Sequence, residues 1–413
     1  MPILTIDSAR LNRSLQELGR IGKTPEGMQR VAFSLADVAG REYAISLMQK
    51  AGLETRVDPA GNVIGRRAGS VPGLPAIALG SHTDTVPSGG KYDGALGVLA
   101  AIECVQTLAN GRVPLRHPVE TLVFTDEEGT RFHRWLIGSR AMAGLLEPED
   151  LSAVDDEGVP LGSRLADIGG DLSRLGEAAR QPGDLAAYFE LHIEQGPELY
   201  RSHTPIGVVT AITGRAVFEV TVKGTANHAG TTPMASRHDA LASASRLVLA
   251  VQRMSAELQI CRVATVGSIQ AHPNAVNVVP GNIRLGLEFR DIGMDALDAA
   301  EGELRRAAAD IAASDGVEME IQRHRSSRSV PISTRMQALV EEAASRSGLA
   351  CAGLPSGAGH DAMAMAAIVE PAMIFVPSVE GISHAPEEFS TPEDCANGAQ
   401  VLLELLLLAD ERL

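Results

Sequence analysis

The chain of 413 residues is short of cysteine, of basic charge and of long apolar runs. Its four cysteines, Cys104, Cys261, Cys351 and Cys395, are widely spaced and each lies in an apolar segment, with no Cys-x-x-Cys pair. The expectation is buried thiols in a reducing compartment, not a disulfide framework or a cysteine-bound metal. Lysine and arginine number 36 against 52 acids, a formal net charge of −16, which disfavours nonspecific binding to nucleic acid or to an anionic membrane. The longest late apolar run, Val401-Leu-Leu-Glu-Leu-Leu-Leu-Leu, is interrupted by Glu404 and falls far short of the roughly 20 residues a membrane span needs, so it predicts a packed terminal helix. The amino terminus lacks a basic start followed by an apolar stretch. With no internal repeat and no long low-complexity segment, the expectation is a cytoplasmic protein of two or three domains.

What is present is helix and strand in alternation. A helical pattern from Leu11 to Gly52 leads into strands near Ile64, Ala76 to Leu79 and Glu120 to Phe124, with a helix from about Gly97 to Leu108. That is the start of an α/β sandwich. From Thr213 a second pattern begins: strand Val217 to Lys223, helix Asp239 to Leu258, strands Val263 to Gln270 and Ile283 to Arg290, helix Asp295 to Ala313, and strand Val317 to Gln322. The order β-α-β-β-α-β is the ferredoxin-like arrangement. Helix, strand and helix resume after Ile332, so residues 1–212 plus 328–413 are expected to form one domain and 213–327 an insert.

Acidic and histidine residues follow the short apolar strands. His82 and Asp84 come after Ala76-Ile-Ala-Leu-Gly, Asp126-Glu127-Glu128 after Thr121-Leu-Val-Phe, His192 after Tyr188-Phe-Glu-Leu, and His384 after Met373-Ile-Phe-Val-Pro. In an open α/β sheet the carboxyl ends of the strands form the ligand crevice, so these scattered segments can converge. Imidazoles with carboxylates suit a divalent metal, and a shared carboxylate suits a pair. Asp93, past a glycine-rich turn, could reach both metals, with Asp84 behind His82 as partner to its other ring nitrogen. Adjacent side chains diverge, so of Glu127 and Glu128 one can bind metal while the other acts as general base. The expectation is a two-metal hydrolase. His228 in Gly224-Thr-Ala-Asn-His-Ala-Gly, Asn277 in Asn274-Ala-Val-Asn-Val-Val-Pro-Gly, and Arg290 at a strand end are candidates for binding substrate. Arginine there suits a carboxylate or a neighbouring surface acid. His360, in Ser356-Gly-Ala-Gly-His-Asp-Ala, opens a helix where backbone amides could meet an anion. The other six histidines, His117, His133, His203, His238, His272 and His324, read as ordinary polar residues.

These motifs resemble the metal-dependent aminoacylase, carboxypeptidase and dipeptidase superfamily, and more closely its hydantoinase/carbamoylase branch. The blocks that carry the resemblance are Gly80-Ser-His-Thr-Asp-Thr-Val, Asp126-Glu-Glu-Gly-Thr-Arg-Phe, Glu190-Leu-His-Ile-Glu-Gln-Gly-Pro, Asn227-His-Ala-Gly-Thr-Thr-Pro-Met, Ser356-Gly-Ala-Gly-His-Asp-Ala and Gly381-Ile-Ser-His, spread over nearly the whole chain. The resemblance implies a two-metal exopeptidase-like α/β/α catalytic domain with an inserted ferredoxin-like α+β lid and dimerisation domain. It implies that His82 and His192 bind one divalent ion, that Glu128 and His384 bind the other, and that Asp93 bridges them; manganese, zinc, cobalt and nickel all suit such ligands. It matches Glu127 to the general base, His228, Asn277 and Arg290 to substrate-binding positions and Gln195 to a polar residue near the scissile group; His228 is also a catalytic candidate, able to add a donor to the developing oxyanion. The implied partner is a small N-carbamoyl or ureido compound bearing a carboxylate, and the implied assembly is a homodimer through the insert, with His228 serving its own or the neighbouring subunit. The leading expectation is hydrolysis of N-carbamoyl-L-amino acids. Allantoate amidohydrolase, β-ureidopropionase, aminoacylase or dipeptidase, and a catalytically silent binding homologue are the alternatives, and retention of Glu127 argues against the last.

Overall fold

The apolar runs Ala76–His82, Val119–Phe124, Leu185–Ile193 and Pro371–Val376 are buried along almost their whole length, as parallel strands covered on both faces must be. In the computed structural model, which describes residues 4–324 and 326–413, these strands lie side by side in parallel at the centre of one mixed sheet. Its order is Ile206–Ile212, Pro371–Val376, Leu185–Ile193, Ala76–His82, Val119–Phe124, Val63–Arg67, Glu54–Val57, with antiparallel strands flanking the parallel centre. The helices Ala95–Asn110 and Pro392–Arg412 pack on each other and on the central strands. The late apolar run is therefore a packed terminal helix. Among the described residues no helix is long and apolar enough to cross a membrane.

The chain divides into two units, Met1–Thr210 with Ile332–Leu413 and Ala211–Pro331. In the second unit, four antiparallel strands are ordered Val263–His272, Asn282–Asp291, Gly214–Lys223, Glu318–Arg323. The helices Ala240–Ala256 and Met294–Asp315 pack on this sheet and on each other. Burial alternates strictly along Gly214–Lys223, and the inward Ala216, Phe218, Val220 and Val222 form a core with Leu247, Val251, Phe289 and Leu304. The four-stranded order and the β-α-β-β-α-β sequence are those of a ferredoxin-like sheet. Val263–His272 is an edge strand of that sheet, and Val263 and Ile269 on it are exposed.

One element departs from the sequence expectation. The helical pattern from Leu11 to Gly52 is broken into Ser8–Leu18 and Leu35–Lys50, with a two-stranded hairpin, Lys23–Thr24 against Gly27–Met28, between them. Gly22 and Gly27 adopt positive φ there, which a continuing helix excludes. The hairpin is followed by Arg30, which is fully buried. Its guanidinium donates to the carbonyls of Thr83, Leu18 and Ile21 at 2.6, 2.9 and 3.0 Å, while Thr85 N donates to the Arg30 carbonyl at 3.0 Å. The excursion thus delivers a cation that pins the loop after the Ala76–His82 strand.

Candidate metal centre

His82 is the last residue of its strand and His192 the penultimate residue of the next parallel one. Both rings therefore emerge at the same end of the sheet. His82 Nδ1 lies 3.0 Å from the Asp84 carbonyl and His192 Nδ1 lies 2.9 Å from the Ile193 carbonyl. Carbonyls only accept, so each Nδ1 carries a proton and each Nε2 offers a lone pair in the neutral tautomer. Both Nε2 atoms face Asp93 Oδ1, at 3.4 Å from His82 and 3.2 Å from His192. The other oxygen of Asp93 lies 3.2 Å from His384 Nε2, which lies 3.8 Å from Glu128 Oε2. Two groups of three possible ligands result, His82-Asp93-His192 and Asp93-Glu128-His384, joined through Asp93.

Several backbone features hold this arrangement. A Cβ at Gly94, whose φ is +61°, would run into the His82 imidazole. Asp126, Gln195 and His384 adopt positive φ without being glycine, a conformation that persists only where surrounding structure enforces it and that clusters at functional sites. The acidic run is held by backbone bonds from Gly138 to Thr125 at 2.7 Å, from Leu136 to Glu127 at 2.9 Å and from Ile137 to Asp126 at 3.2 Å.

Asp84 serves the site differently from its expected role. Its backbone carbonyl is the partner of His82 Nδ1, whereas its carboxylate is 3.7 Å from that nitrogen and accepts the amides of Glu127 and Glu128 at 3.3 and 3.2 Å. With both amides turned toward Asp84, the two glutamate side chains diverge. Glu127 Oε2 lies 3.7 Å from His82 Nε2, and Glu128 faces His384. Gln195 Nε2 donates to Asp93 Oδ2 at 2.6 Å and lies 3.3 Å from His384 Nε2, so it belongs to the same cluster.

The electrostatics are those of a site that collects cations. Against burial, which would raise it, the imidazoles of His192, His384 and His82 hold Asp93 well below the usual carboxylate range. Asp93 raises His384 to about 9, against the opposing effect of burial and with Glu128 adding. Against burial, Glu127 and the two aspartates also raise His82. Burial pushes Glu127 well up, with Glu128, Asp361 and Asp84 adding and His82 opposing. Glu128 is pushed to about 7 by burial and by Asp93, and its Oε1 is buried without a hydrogen-bond partner. An unpaired buried oxygen of this kind is costly unless a cation meets it. Imidazole nitrogens and carboxylate oxygens in groups of three fit divalent zinc, manganese, cobalt or nickel. The donor set therefore fits a metal, and His82, Asp93, His192, Glu128 and His384 are the residues able to hold it.

Other histidines and acids were less legible from sequence. His360 is buried, its ring packed edge-on to His192 with centroids 4.5 Å apart and its Nε2 2.8 Å from Ser356 Oγ. Burial, with His192 adding, holds it well below the usual histidine range. It buttresses a candidate ligand ring. Glu190 groups with His192 and His360 as a third possible set, but its oxygens already accept from Ser81, Tyr188 and the Ala362 amide. A glutamate inside an apolar parallel strand was its only signal. Glu388 and Ser383 also enter the cluster, bonded to the Asp93 loop.

The candidates in the second unit do not gather in one place. Asn227–His228 pairs with Val278–Val279, and the Asn277 carbonyl accepts from Ala229 N at 2.9 Å. His228 Nδ1 accepts from the amides of Gly230 and Thr231 at 3.0 and 3.2 Å, which leaves Nε2–H as an outward donor. Arg290 lies toward the other end of the sheet, opposite Arg215, whereas Asn282 is opposite Lys223, the strand end that leads to His228. Asn282 and Arg290 are eight residue rises apart along the strand, about 26 Å at the usual rise. Arg290 Nε pairs with Glu288 at 2.9 Å, and Glu288 also pairs with Arg215.

A parallel-centred α/β sheet whose strand ends bring histidines and carboxylates into two groups sharing one aspartate defines a hydrolase of the metal-dependent kind. The chain belongs to peptidase family M20/M25/M40, whose model matches residues 78–408. It is 41% identical to an N-carbamoyl-L-amino acid amidohydrolase of Geobacillus stearothermophilus, over 96% of this chain and 97% of that protein. A ureidoglycolate hydrolase of Arabidopsis thaliana is 37% identical over 97% of this chain and 86% of its own, and an allantoate amidohydrolase of Bacillus subtilis is 36% identical over 87% of each. The solved structure of a hydantoinase/carbamoylase-family amidase from Burkholderia multivorans matches with a TM-score of 0.90 and 39% identity, covering 99% of both chains. Within the family, this chain is accordingly an amidohydrolase of the carbamoylase type, an enzyme acting on C–N bonds.

Because cations compete with protons for these nitrogens and carboxylates, adding Mn²⁺ to chelator-stripped protein is expected to release protons and raise the thermal midpoint. At a hundredfold excess over the dissociation constant, one site stabilises the fold by about 2.7 kcal/mol. Scanning calorimetry and pH-stat titration read both effects; an unmoved midpoint with no proton release would exclude metal from the cluster.

Proposed function

We propose that this enzyme uses two divalent ions per subunit to hydrolyse the ureido C–N bond of N-carbamoyl-L-amino acids, yielding the L-amino acid, ammonia and carbon dioxide. The observation that carries the reading is Asp93 between two sets of ligands with Glu127 beside His82. His82 and His192 would hold one ion, Glu128 and His384 the other, and Asp93 both. Bound there, such ions supply Lewis acidity toward water and toward the ureido carbonyl, a resonance-stabilised and weak electrophile.

Glu127 is the general base. Its carboxyl is buried with Oε2 3.7 Å from His82 Nε2, and burial pushes it up, which strengthens a carboxylate as a proton acceptor. It takes the proton of the attacking water and returns it to the leaving nitrogen as the C–N bond breaks. Gln195 orients Asp93 and stands beside the reacting group. The Nε2–H of His228 is a donor suited to the developing oxyanion, Asn277 lies near it, and Arg290 recognises the substrate's carboxylate.

The about 26 Å of strand between the His228 end and the Arg290 end is too long for one small substrate to touch both in one subunit. This supports a homodimer in which His228 and Asn277 serve the neighbouring subunit's site. The unpartnered edge strand Val263–His272, with exposed Val263 and Ile269, supports an assembly through this unit. A second reading, an allantoate amidohydrolase or an enzyme acting on ureidoglycolate, draws on the relatives at 36% and 37% identity, against 41% for the carbamoyl amino acid enzyme; a β-ureidopropionase is the further alternative.

Ammonia release from Mn²⁺-loaded enzyme across N-carbamoyl-L-amino acids, β-ureidopropionate, allantoate and ureidoglycolate tests the substrate class. The highest kcat/KM is expected on an N-carbamoyl-L-amino acid, and turnover of allantoate alone would overturn the choice. Glu127→Gln is expected to lower kcat by about 10² to 10⁴ with metal content unchanged; a fully active variant would remove Glu127 from the base role. Mixing inactive His82→Ala with inactive His228→Ala should restore about a quarter of wild-type activity if random two-fold pairing builds one intact site per hybrid. No restoration would mean that His228 acts within its own subunit.

A further inference from the structure

Four residues after His384, Glu388 turns back into the structure and is 4% exposed. Its Oε1 accepts the amides of Tyr92 and Asp93 at 2.9 and 3.1 Å, and its Oε2 accepts the Ser383 hydroxyl at 2.8 Å. The same hydroxyl lies 3.2 Å from Asp93 Oδ2. One carboxylate therefore ties the loop that carries Asp93 to the loop that carries His384. Gly90 leaves the room for it, since a Cβ there would strike the Glu388 carboxylate. A buried acid close to another acid is unfavourable by itself, and a surface turn would have no need of one. Its bonds go to backbone donors and a hydroxyl, all belonging to the two ligand-bearing loops.

We propose that Glu388 is a positioning residue for the metal centre, clamping the backbone of Asp93 and the hydroxyl of Ser383 so that Asp93 is presented to both ligand sets at once. The proposal rests on the two-metal reading above. Asp93 has the narrowest tolerance of the cluster, because its two oxygens must serve different partners, His82 and His192 on one side and His384 on the other. The clamp fixes the peptide from which that carboxylate hangs. Residues that orient a ligand from behind are known to set metal affinity as strongly as tenfold to a hundredfold.

Two features distinguish a clamp from a mere acid in the core. Glutamine at this position can still accept the two amides through Oε1, and its NH₂ can donate to Ser383 Oγ, leaving that hydroxyl to donate to Asp93. An alanine at position 90 would displace Glu388 without deleting it. The test is titration of Mn²⁺ into chelator-stripped full-length protein by calorimetry, with metal counting, for wild type, Glu388→Ala, Glu388→Gln and Gly90→Ala. Wild type should bind two ions. Glu388→Ala and Gly90→Ala should bind Mn²⁺ roughly tenfold to a hundredfold more weakly, while Glu388→Gln should remain within a few-fold of wild type. If Glu388→Ala does not fold, the contrast between Gly90→Ala and Glu388→Gln carries the test. Wild-type affinity in Glu388→Ala or in Gly90→Ala would overturn the clamp alone. A glutamine variant as weak as the alanine variant would overturn its hydrogen-bond basis. A wild type that bound no Mn²⁺ would overturn the two-metal reading and the clamp together.

Discussion

The arrangement depends on one constraint: several carboxylates are buried at the carboxyl ends of the central strands, and they require cations. Asp84, Asp93, Asp126, Glu127 and Glu190 are each at most 8% exposed, in a protein whose net charge is already −16. Buried like charges are stable only when neutralised or paired. The imidazoles of His82, His192 and His384 meet part of that demand, drawn up by the carboxylates around them. Divalent ions would meet it more fully, because each brings two charges to a place where the donors already converge. The same imbalance that makes the site costly to fold would favour metal binding.

The fold makes this crowding possible by separating the groups in sequence and joining them at the strand ends. His82 and His192 terminate adjacent parallel strands, with Glu127 and Glu128 following the next one over. Each loop leaves its strand under a restraint of its own: Arg30 on the carbonyl of Thr83, Asp84 on the amides of Glu127 and Glu128, Glu388 on the amides of Tyr92 and Asp93. These restraints offset the strain of the positive φ at Asp126, Gln195 and His384.

Much of this was legible in the chain. Apolar strands ending in histidine or acid announce a parallel sheet with a site at its carboxyl edge, and the second unit's strand and helix order could be read almost residue by residue. Three things were not. Arg30 falls within the stretch from Leu11 to Gly52 that reads as helical, so it gave no sign that three carbonyls would surround it. Asp84 was readable as a residue behind His82, but a side chain and its own carbonyl compete for that place, and only geometry decides between them. Glu388 lies in Ala385-Pro-Glu-Glu-Phe, which reads as a solvated turn because nothing local shows that the turn folds inward.

The positions of His228 and Arg290 show how far strand register alone can carry an argument. Both were candidates for one substrate, yet the antiparallel pairing of Gly214–Lys223 with Asn282–Asp291 sends them to opposite ends of a ten-residue strand. A small molecule cannot bridge about 26 Å. The proposed use of both residues by one substrate therefore goes together with the proposed homodimer, and recognition would then be inseparable from assembly. On the proposed reading the small unit's sheet would have two ends with different duties: the end near Arg290 would grip an anion, with Glu288 bonded to Nε of Arg290 and so fixing the orientation of the guanidinium plane, while the end near His228 offers an imidazole donor fixed by two backbone amides. The four-stranded sheet between them would then set the spacing at which two subunits of the proposed homodimer meet.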